Sequence, residues 1–410
     1  MCRSCGSPAL HDVISFGKVP LTAHFPKPSD PVDTEMLFEL DLVSCADCTL
    51  VQLRETPPAA LMFDENYPYF SSLSQTLMEA SRDFADEIGA QLDLSETSQV
   101  IEIASNDGYL LQNFVRMGIP ALGIEPTPKA AALARSVGVN TLQAFFSEEL
   151  AQSLVDEGNR ADLVIANNVL AHVPDLNGFV AGIRRLLKPK GIASFDVGYL
   201  IDLVEKLAFD TIYHEHHCYF SLTALVRLFE RNGLEIFDCE SISAQGGSLR
   251  VFARHQSASS AAHSQMIQDR LLYESTLGVA DGRLLSDFSD RVTQLVSQIS
   301  ACLRQLKSDG ASISGYGAAA KGAMLLNAAQ LDGTVLDYVV DKNTEKQGRL
   351  MPGMRIPIVS PDVLQSDPPD YLIILPWNLA DEIVGQQKDY ALAGGQFIVP
   401  LPQFRISNGT

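Results

Sequence analysis

The sequence predicts an α/β protein in three parts: an N-terminal zinc module with four cysteine ligands, a central doubly wound Rossmann-like domain, and a C-terminal Rossmann-like α/β domain. Two C-x-x-C pairs stand near the N-terminus, strand and helix patterns alternate through the middle, and a second strand, glycine turn and helix begins near residue 312. The 410 residues exceed the roughly 250–300 at which one hydrophobic core divides. The predicted boundaries are 1–60, 61–256, a linker with a packing helix over 257–310, and 311–410.

The composition excludes two classes of partner. The formal net charge is −20 and no basic run offsets it, so no nucleic-acid partner is expected. No apolar run approaches the roughly 18 residues of a spanning helix, so no membrane partner and a cytoplasmic location are expected. The odd count of seven cysteines argues against a disulfide framework. No oligomeric state follows from the sequence, and a monomer is compatible with it.

The N-terminal segment carries a strong local motif. "CRSC" supplies Cys2 and Cys5, and "CADC" supplies Cys45 and Cys48. This spacing lets each pair present two thiolates to one tetrahedral zinc ion, and four thiolates leave no open position, so a structural Zn²⁺ is predicted. A redox C-x-x-C would need a thioredoxin-like strand and helix, and neither pair has that setting.

The middle segment alternates strands and helices. "SQVIEIASNDGYLLQNFV" predicts a buried strand over Val100–Ile103, a polar glycine turn and a helix. "ALGIEPTP", "ADLVIANNVLAHV" and "GIASFDVGYL" are further apolar runs with polar ends, separated by helical patterns. This alternation predicts a mostly parallel sheet, in which ligands bind at the carboxyl ends of the strands.

Two features of these strand ends indicate an adenosyl ligand. Glu125 closes the second strand, where a carboxylate accepts hydrogen bonds from the ribose hydroxyls of a nucleoside. The turn "ASNDG" has one glycine and no G-x-G-x-x-G, so a dinucleotide pyrophosphate is not indicated. An adenosyl group without a diphosphate fits better.

The C-terminal part begins after a Ser- and Ala-rich linker, "QSASSAAHSQ", and an apolar stripe from Leu284 to Leu306 at helical spacing. "SISGYGAAAKGAMLLNAA" then predicts a strand, a glycine turn and a helix with Lys321 in its first turns. Two roles for this glycine turn and Lys321 remain open: they contact phosphate oxygens of a ligand, or the glycines only allow a tight turn and no ligand binds. Trp377 and Asn378 follow a strand and form either a base-stacking wall or ordinary core.

Seven motifs stand in a distinctive order after the cysteine pairs: "NYPYFSS", "EIASNDGYLL", "GIEPT", "FDTIYHEHHCYFS", "GGSLRVF", "GYGAAAKG" and "DKNTEKQGRLMPG". Together they resemble the S-adenosylmethionine-dependent sugar C-methyltransferases of deoxysugar pathways, over nearly the whole chain. The resemblance implies a zinc-binding module, a methyltransferase domain, and a C-terminal domain that helps to hold a nucleotide-linked sugar. It also implies methylation at the carbon next to a ketone, typically C3 of an NDP-4-keto-deoxyhexose.

The resemblance assigns site residues to three groups. The active site would be lined by Tyr69, Asn168, His172, Tyr213, Glu215 and His216. The cofactor pocket would contain Glu102, Ala104, Asn106, Gly108, Glu125 and Asn167. The nucleotide-sugar would contact Tyr316, Lys321, Asn327, Trp377 and Asn378.

The chemistry is consistent with this assignment. A sulfonium methyl donor needs an electron-rich nucleophile, and a sugar carbon becomes one when a base removes its proton beside a carbonyl. Histidine is the usual base at neutral pH, so His216 is the candidate, with Glu215 orienting it or a substrate hydroxyl. Tyr213, Asn168 or His172 would donate to the enolate oxygen.

Three positions depart from the family pattern. Gln245 stands where a histidine usually precedes "GGS", Gly198 interrupts an E-x-P-Y-like element, and Ala144 replaces an acidic residue ahead of two aromatics. These departures leave the base in place and bear on adenine contacts and substrate identity.

Other interpretations remain open. The histidines of "YHEHHCYFS" are a metal site only if they converge, which neighbours in an extended segment do not do easily. The same fold would also suit O- or N-methylation of a related small molecule, or a non-catalytic protein that binds zinc and a nucleotide-sugar. A nicotinamide oxidoreductase is disfavoured because neither glycine turn has the dinucleotide spacing.

Overall fold

The computed structural model describes residues 1–62, 70–242, 246–256 and 264–409. It has three sheets, of four, seven and six strands. The predicted fold class is confirmed: a four-cysteine cluster, a central domain with a mostly parallel sheet, and a C-terminal α/β domain follow one another. The domain boundaries given above stay predictions. Within the described ranges, no helix has both the length and the apolar character needed to cross a membrane.

The N-terminal module is built on an antiparallel hairpin of β1 (Leu10–Pro20) and β2 (Leu37–Cys45), and β3 (Val51–Leu53) extends it. The hairpin accounts for the long separation between the cysteine pairs. A fourth strand, Cys218–Tyr219, comes from the "YHEHHCYFS" segment and pairs with β3. The segment is therefore tied into the module's sheet. A short helix, α1 (Ala59–Met62), follows.

The described residues of the central domain form eight strands, one of which belongs to the N-terminal sheet. They are β4 (Val100–Ile103), β5 (Ala121–Ile124), β6 (Asn140–Leu142), β7 (Ala161–Asn167), β8 (Leu187–Gly198), β9 (Cys218–Tyr219), β10 (Leu234–Ile242) and β11 (Ser248–His255). The other seven form one sheet in the order β10-β11-β8-β7-β4-β5-β6, parallel from β6 to β8 and antiparallel at β11 and β10.

Helices cover both faces of this sheet. They are α2 (Gln75–Gln91), α3 (Leu111–Arg116), α4 (Pro128–Ser136), α5 (Glu148–Asp156), α6 (Leu176–Leu186), α7 (Leu200–Glu205) and α8 (Leu222–Arg231). Ser74 and Asp175 cap α2 and α6, because each side chain accepts a hydrogen bond from a backbone N–H in the first turn. Parallel strands joined by helices bring the polar ends of β4, β5 and β7 to one edge.

Two helices connect the central and C-terminal domains: α9 (Gln265–Leu277) and α10 (Phe288–Ser308). Glu274 of α9 is fully buried and accepts hydrogen bonds from the backbone N–H groups of Leu222 and Thr223, so it caps α8. The apolar stripe of α10 is buried at Phe288, Val292, Leu295, Ile299 and Leu303.

The C-terminal domain has six strands in the order β14-β13-β12-β15-β16-β17, all parallel except β17. The strands are β12 (Ile313–Tyr316), β13 (Val339–Val340), β14 (Ile358–Val359), β15 (Tyr371–Ile374), β16 (Gln396–Val399) and β17 (Arg405–Ser407). The helices are α11 (Ala320–Ala328), α12 (Val363–Ser366), α13 (Ala380–Gln386) and α14 (Lys388–Leu392).

One hydrophobic core crosses the domain boundaries. It includes Leu40 of the N-terminal module, Phe209 of the central domain, Phe288 of α10 and Ile373 of the C-terminal sheet. Because all four side chains are fully buried, the three parts pack against one another. The "YHEHHCYFS" segment lies at this junction.

Candidate active site

The two cysteine pairs converge in the structure. The Sγ atoms of Cys2 and Cys48 lie 3.4 Å apart, those of Cys5 and Cys45 lie 3.6 Å apart, and all four lie within 4.8 Å of one another. Zn–S bonds of about 2.3 Å in a tetrahedron require sulfur separations of this size. The hydrogen bond from Cys48 lowers the pKa of Cys2 to about 5. The donor set therefore fits a structural zinc ion.

The turn after β4 has an unusual backbone. Ala104, Asn106 and Gly108 have φ angles of 55°, 49° and 80°. Non-glycine residues rarely adopt positive φ, and such strain tends to occur at binding sites. At Gly108 the space is also limited, since a Cβ atom there would lie 3.2 Å from Cα of Ala134. The turn is thus shaped and packed as a rigid cradle.

Glu125 holds this cradle from the end of β5. Its Oε2 accepts a hydrogen bond from the backbone N–H of Asn106 at 2.9 Å, and its Oε1 accepts from the N–H and hydroxyl of Thr127. A carboxylate has about four acceptor positions, so one remains for a ligand hydroxyl. This arrangement fits the predicted contact with ribose.

Three buried polar atoms in the cradle and in the adjoining strands β4 and β7 have no hydrogen-bond partner among the described residues: Oε2 of Glu102, Oδ1 of Asp107 and Oδ1 of Asn167. Burial, and then the nearby charge of Glu125, raise the pKa of Glu102 well above its ordinary range. Buried polar atoms normally find hydrogen-bond partners. A ligand that carries an ammonium group and hydroxyls, as S-adenosylmethionine does, would supply them.

The segment that follows Tyr69 closes over the cradle. The backbone N–H of Ser71 donates to Oδ1 of Asn106 at 2.9 Å, and the Ser72 hydroxyl donates to Oδ2 of Asp107 at 2.6 Å. Tyr69 itself lies outside the described residues. Its assignment to the active site stays a prediction.

Replacing Glu125 with alanine is expected to weaken S-adenosylmethionine binding by about tenfold or more, because a charge-assisted hydrogen bond is worth about 1.5–3 kcal/mol. Isothermal titration calorimetry measures the effect. Glu87→Ala, on the exposed face of α2, is the matched control and should bind normally. Equal affinities of the two variants would contradict the assignment of Glu125.

The "YHEH" stretch forms a tight turn, closed by a hydrogen bond of 2.9 Å from the His216 N–H to the Tyr213 carbonyl. His216 Nδ1 lies 2.8 Å from the Thr211 carbonyl oxygen, which can only accept, so Nδ1 carries the proton. Nε2 lies 3.1 Å from the Tyr213 hydroxyl, which donates to it. Burial lowers the pKa of His216 well below its ordinary range. The ring is therefore neutral at pH 7 and has its lone pair on Nε2.

His172 stacks edge-on against His216, with ring centroids 4.8 Å apart. It belongs to a 3₁₀ turn, Leu170–His172, just after β7. Its Nδ1 lies 2.7 Å from the Glu215 carbonyl oxygen. The neighbouring Asn168 has a φ of 54° and its backbone N–H donates to the Asp196 carbonyl. The end of β7 and the "YHEH" turn therefore meet through His172, and the assignment of Asn168, His172, Tyr213 and His216 to the active site stays a prediction.

Glu215 lies where the three domains meet. Thr22 of the N-terminal module donates its hydroxyl to Oε1 of Glu215 at 3.4 Å. Lys346 of the C-terminal domain donates to the Ala318 carbonyl at 2.8 Å; burial lowers the pKa of Lys346, and the charges of Asp341 and then of Glu215 oppose that shift. Glu215 thus contacts the N-terminal module and lies near enough to a lysine of the C-terminal domain for their charges to interact.

The other two histidines of the segment, His214 and His217, are both buried. His214 lies 3.1 Å from the Glu39 carbonyl and packs edge-on against Phe38. Among the described residues, the four cysteines form the one cluster with the geometry of a metal site. A metal site in the "YHEHHCYFS" segment receives no support from this arrangement.

The C-terminal residues predicted to bind substrate fall into two sets. Lys321 Nζ lies 3.3 Å from Asn378 Oδ1 and 5.3 Å from the ring centroid of Trp377, so these three lie together. Tyr316 accepts a hydrogen bond of 3.5 Å from Gln387. The amide of Asn327 donates to the carbonyls of Ala323 and Pro352, which fixes the turn before β14. These hydrogen bonds of Tyr316 and Asn327 are to other residues, and the assignment of both to the substrate stays a prediction.

A cavity of about 550 Å³ adjoins Trp377 and Asn378, between the central and C-terminal domains. Its wall includes the cationic residues Lys206, Arg270 and Arg405 together with the acidic residues Asp202 and Asp381, and Lys206 is paired with Asp202 at 2.9 Å. Asn378 follows β15 and Leu401 follows β16 in chain order, so the cavity adjoins the carboxyl ends of parallel strands. Ligands of doubly wound sheets bind in this position.

Sequence reasoning did not single out several residues of this region. Asp210 accepts a 2.7 Å hydrogen bond from Trp377 Nε1, across 167 positions of sequence. Arg250 forms a bidentate ion pair with Asp196, at 2.6 and 2.8 Å. Phe145, at the end of β6, is 56% exposed beside the cofactor cradle's edge of the sheet. Asp210 and Arg250 each lie inside a quoted motif, "FDTIYHEHHCYFS" and "GGSLRVF", and Phe145 is one of the two aromatics after Ala144, but no role was predicted for any of the three.

Replacing His172 with glutamine is expected to make the protein less sensitive to acid. Burial lowers the pKa of His172 to about 4, whereas an unfolded histidine titrates near 6.5. Between pH 6.5 and 4 the unfolded chain therefore binds a proton that the folded one does not, and stability falls as pH falls. The expected loss in the free energy of unfolding is about 2 kcal/mol. This is less than the whole pKa shift would give, because His172 is partly exposed to solvent. Urea unfolding at several pH values measures it. Parallel stability curves for the wild type and the variant would contradict this, and exposed His11→Gln is the control.

Comparison with known proteins gives three family matches. A zinc binding domain model matches residues 2–63, a methyltransferase domain model matches 75–238, and a C-methyltransferase C-terminal domain model matches 243–402. These ranges contain, in turn, the four cysteines, the cradle with the "YHEH" turn, and the Trp377 region.

Individual relatives agree with these matches. C-methyltransferase NovU of Streptomyces niveus is 35% identical over 405 residues, which cover 99% of this chain and 96% of that protein. Ubiquinone biosynthesis O-methyltransferase of Rhodopseudomonas palustris (strain TIE-1) is 29% identical over 97 residues, 24% of this chain and 38% of that protein. Among solved structures, an S-adenosylmethionine-dependent methyltransferase from Clostridium acetobutylicum ATCC 824 is 13% identical, with a TM-score of 0.36, over 44% of this chain and 92% of that one.

Proposed function

The chain belongs to the S-adenosylmethionine-dependent C-methyltransferases with an N-terminal zinc-binding domain, and on this premise we propose that it methylates the carbon next to the ketone of a nucleotide-linked 4-keto-deoxysugar. The observation that carries the proposal is the Tyr213–His216 pair at the junction of the three domains. His216 is neutral, its tautomer is fixed by Thr211, and its Nε2 is the basic atom.

His216 is the general base of this proposal. Nε2 takes the proton from the carbon alpha to the ketone, and the electron pair of the C–H bond forms the enolate. When bound, S-adenosylmethionine supplies the methyl group that the enolate carbon attacks. Because a base with a lowered pKa is already deprotonated at pH 7, no prior deprotonation of His216 is needed.

Tyr213 and Asn168 are the candidate donors to the enolate oxygen. The Tyr213 hydroxyl donates to the lone pair of Nε2 of His216 in this structure, so it must turn away when the substrate binds, which frees that lone pair for the alpha proton. The hydroxyl can then donate to the enolate oxygen as negative charge develops on it. A hydrogen bond at that stage lowers the barrier to proton removal. Glu215, held by Thr22, would orient a substrate hydroxyl.

The cavity beside Trp377 is proposed to hold the nucleotide. The chain as a whole has a net charge of −20 and repels a diphosphate, so local cations matter. Arg270 and Arg405 provide them in the cavity wall, where Lys206 is already paired with Asp202, and the Trp377 ring offers a face for stacking. A nucleoside diphosphate sugar carries both matching groups, a diphosphate for the cations and an aromatic base for the indole ring.

A matched pair of substrates tests this function. The enzyme is incubated with S-adenosylmethionine and either an NDP-4-keto-deoxyhexose or the same sugar with a hydroxyl at C4, and S-adenosylhomocysteine is quantified. Turnover with the keto sugar alone is expected, because only a ketone acidifies the neighbouring C–H bond. Equal turnover with the 4-hydroxy sugar would contradict the proposal, since it would indicate methylation of oxygen. The same assay with keto sugars linked to different nucleotides then identifies the preferred nucleobase.

A further inference from the structure

A short 3₁₀ turn, Phe209–Thr211, precedes the "YHEH" turn and is held by the C-terminal domain. The indole Nε1–H of Trp377 donates to Oδ2 of Asp210 at 2.7 Å, and Asp210 is completely buried. Trp377 is the only tryptophan of the chain. A buried hydrogen bond to a carboxylate is among the stronger interactions available to a side chain, so this contact fixes the turn against the C-terminal domain.

Lys321 strengthens this attachment. It lies in α11, is almost completely buried, and its charge favours the ionised form of Asp210. Burial works in the opposite direction and is the larger effect, so the pKa of Asp210 is raised to about 6. Lys321 also lies over the Trp377 ring. Two C-terminal side chains therefore act on one carboxylate of the central domain.

The residue after Asp210 contacts the proposed base. The Thr211 carbonyl accepts a hydrogen bond from His216 Nδ1 at 2.8 Å, and the Tyr219 hydroxyl donates to the same oxygen at 3.4 Å. This carbonyl keeps the proton on Nδ1 and the lone pair on Nε2. If the turn moved, the ring would lose the contact that selects its tautomer, and Nε2 would cease to be a reliable base.

Trp377 has a second surface, on the cavity side. It lines the 550 Å³ cavity, and a Cβ atom at Gly246 would lie 2.9 Å from its Cη2. The indole is therefore wedged between the cavity wall and Asp210, and its N–H points to the carboxylate. A group that enters the cavity would contact the same ring that holds the turn.

We propose that Trp377 and Asp210 are positioning residues that link the cavity to the catalytic base, by holding Thr211 where it fixes the orientation and tautomer of His216. This inference rests on the proposed function, in which His216 removes the alpha proton. It differs from a purely structural role, which would affect folding and stability but not proton removal by the folded enzyme.

Exchange of the alpha proton isolates the base from methyl transfer. The full-length enzyme is given S-adenosylhomocysteine in place of the methyl donor, and loss of deuterium from C3 of a labelled NDP-4-keto-deoxyhexose is followed by NMR. Trp377→Phe keeps the ring and removes the donor, and Asp210→Asn keeps the shape and removes the charge. In both, the maximal exchange rate is expected to fall by about 10²-fold, because misplacing a reacting group by about 1 Å has that effect. KM should change little.

Tyr390→Phe is the matched control. Tyr390 is a buried aromatic of the C-terminal domain whose hydroxyl bonds only to carbonyls of that domain, Asp370 and Gln396, so its loss should leave exchange unchanged. The single indole N–H resonance provides an independent readout, because it should shift in Asp210→Asn and stay in place in Tyr390→Phe.

Three outcomes would overturn the inference: exchange at the wild-type rate in both variants, a raised KM with a normal maximal rate, or an equal loss in Tyr390→Phe. Circular dichroism establishes that each variant is folded, and the pair of variants keeps the test informative if one of them is not. Absence of exchange in the wild-type enzyme is a separate result, which would contradict the proposed function itself.

Discussion

Replacing His216 with asparagine is expected to lower kcat by about 10³-fold, within the range of 10²–10⁴ that general-base catalysis contributes. Asparagine can still donate to the Thr211 carbonyl in place of Nδ1, so the turn should keep its shape. It has no basic atom at the position of Nε2. S-adenosylmethionine binding should be unchanged, because the cradle after β4 does not involve His216.

Steady-state kinetics and calorimetry together measure this result. His255→Gln is the control, since its ring lies at the end of β11 and contacts only the Leu187 carbonyl, at 3.5 Å, among its described hydrogen bonds. A His216→Asn enzyme with full activity would show that another group removes the proton. A variant that also lost cofactor binding would show that the turn, and not the base alone, had been disturbed.

Replacing Cys45 with serine is expected to release the zinc ion and to lower the free energy of unfolding by roughly 5 kcal/mol or more, since isolated zinc-finger peptides gain about 10–16 kcal/mol from the metal. The N-terminal sheet includes β9, which directly follows "YHEHH". We therefore expect activity to fall with zinc content. The measurements are metal analysis by mass spectrometry, urea unfolding and turnover.

Cys302→Ser is the matched control, because Cys302 lies half-buried in α10, away from the cluster. It should keep one zinc ion per chain and wild-type stability. Retention of one tightly bound zinc ion by Cys45→Ser, with unchanged unfolding, would contradict the four-thiolate site.

Much of the fold followed from local patterns. The strand Val100–Ile103 has the predicted bounds, because a short apolar run between a polar segment and a glycine turn has few other ways to be buried. The cysteine cluster followed from spacing alone, since two C-x-x-C pairs constrain their own geometry. Periodicity and turn chemistry are local properties, and they determine local structure.

Such local patterns could not predict the contacts at the domain junction. The hydrogen bond from Trp377 to Asp210 spans 167 positions, and that from Thr22 to Glu215 spans 193. No periodicity relates residues so far apart. The pairing of β9 with β3 of another domain is of the same kind. Motif resemblance identified Tyr213, Glu215 and His216 without indicating that residues from three domains surround them.

Asn327 shows a second limit of sequence-based prediction. The family resemblance assigned it to the substrate, yet its amide donates to the carbonyls of Ala323 and Pro352 within the domain. A buried amide must satisfy its own donors. Sequence position does not say whether a ligand or the chain itself will do so, and its role in substrate binding stays a prediction.

The central claim is that a base in the "YHEH" turn creates a carbon nucleophile. It is tested most directly by one reaction, in which the wild-type enzyme receives methyl-¹³C S-adenosylmethionine and an NDP-4-keto-deoxyhexose with deuterium at the alpha carbon. NMR should locate the labelled methyl group on that carbon and show that the deuterium has been lost. A labelled methyl group on oxygen or nitrogen, with the deuterium retained, would contradict the account.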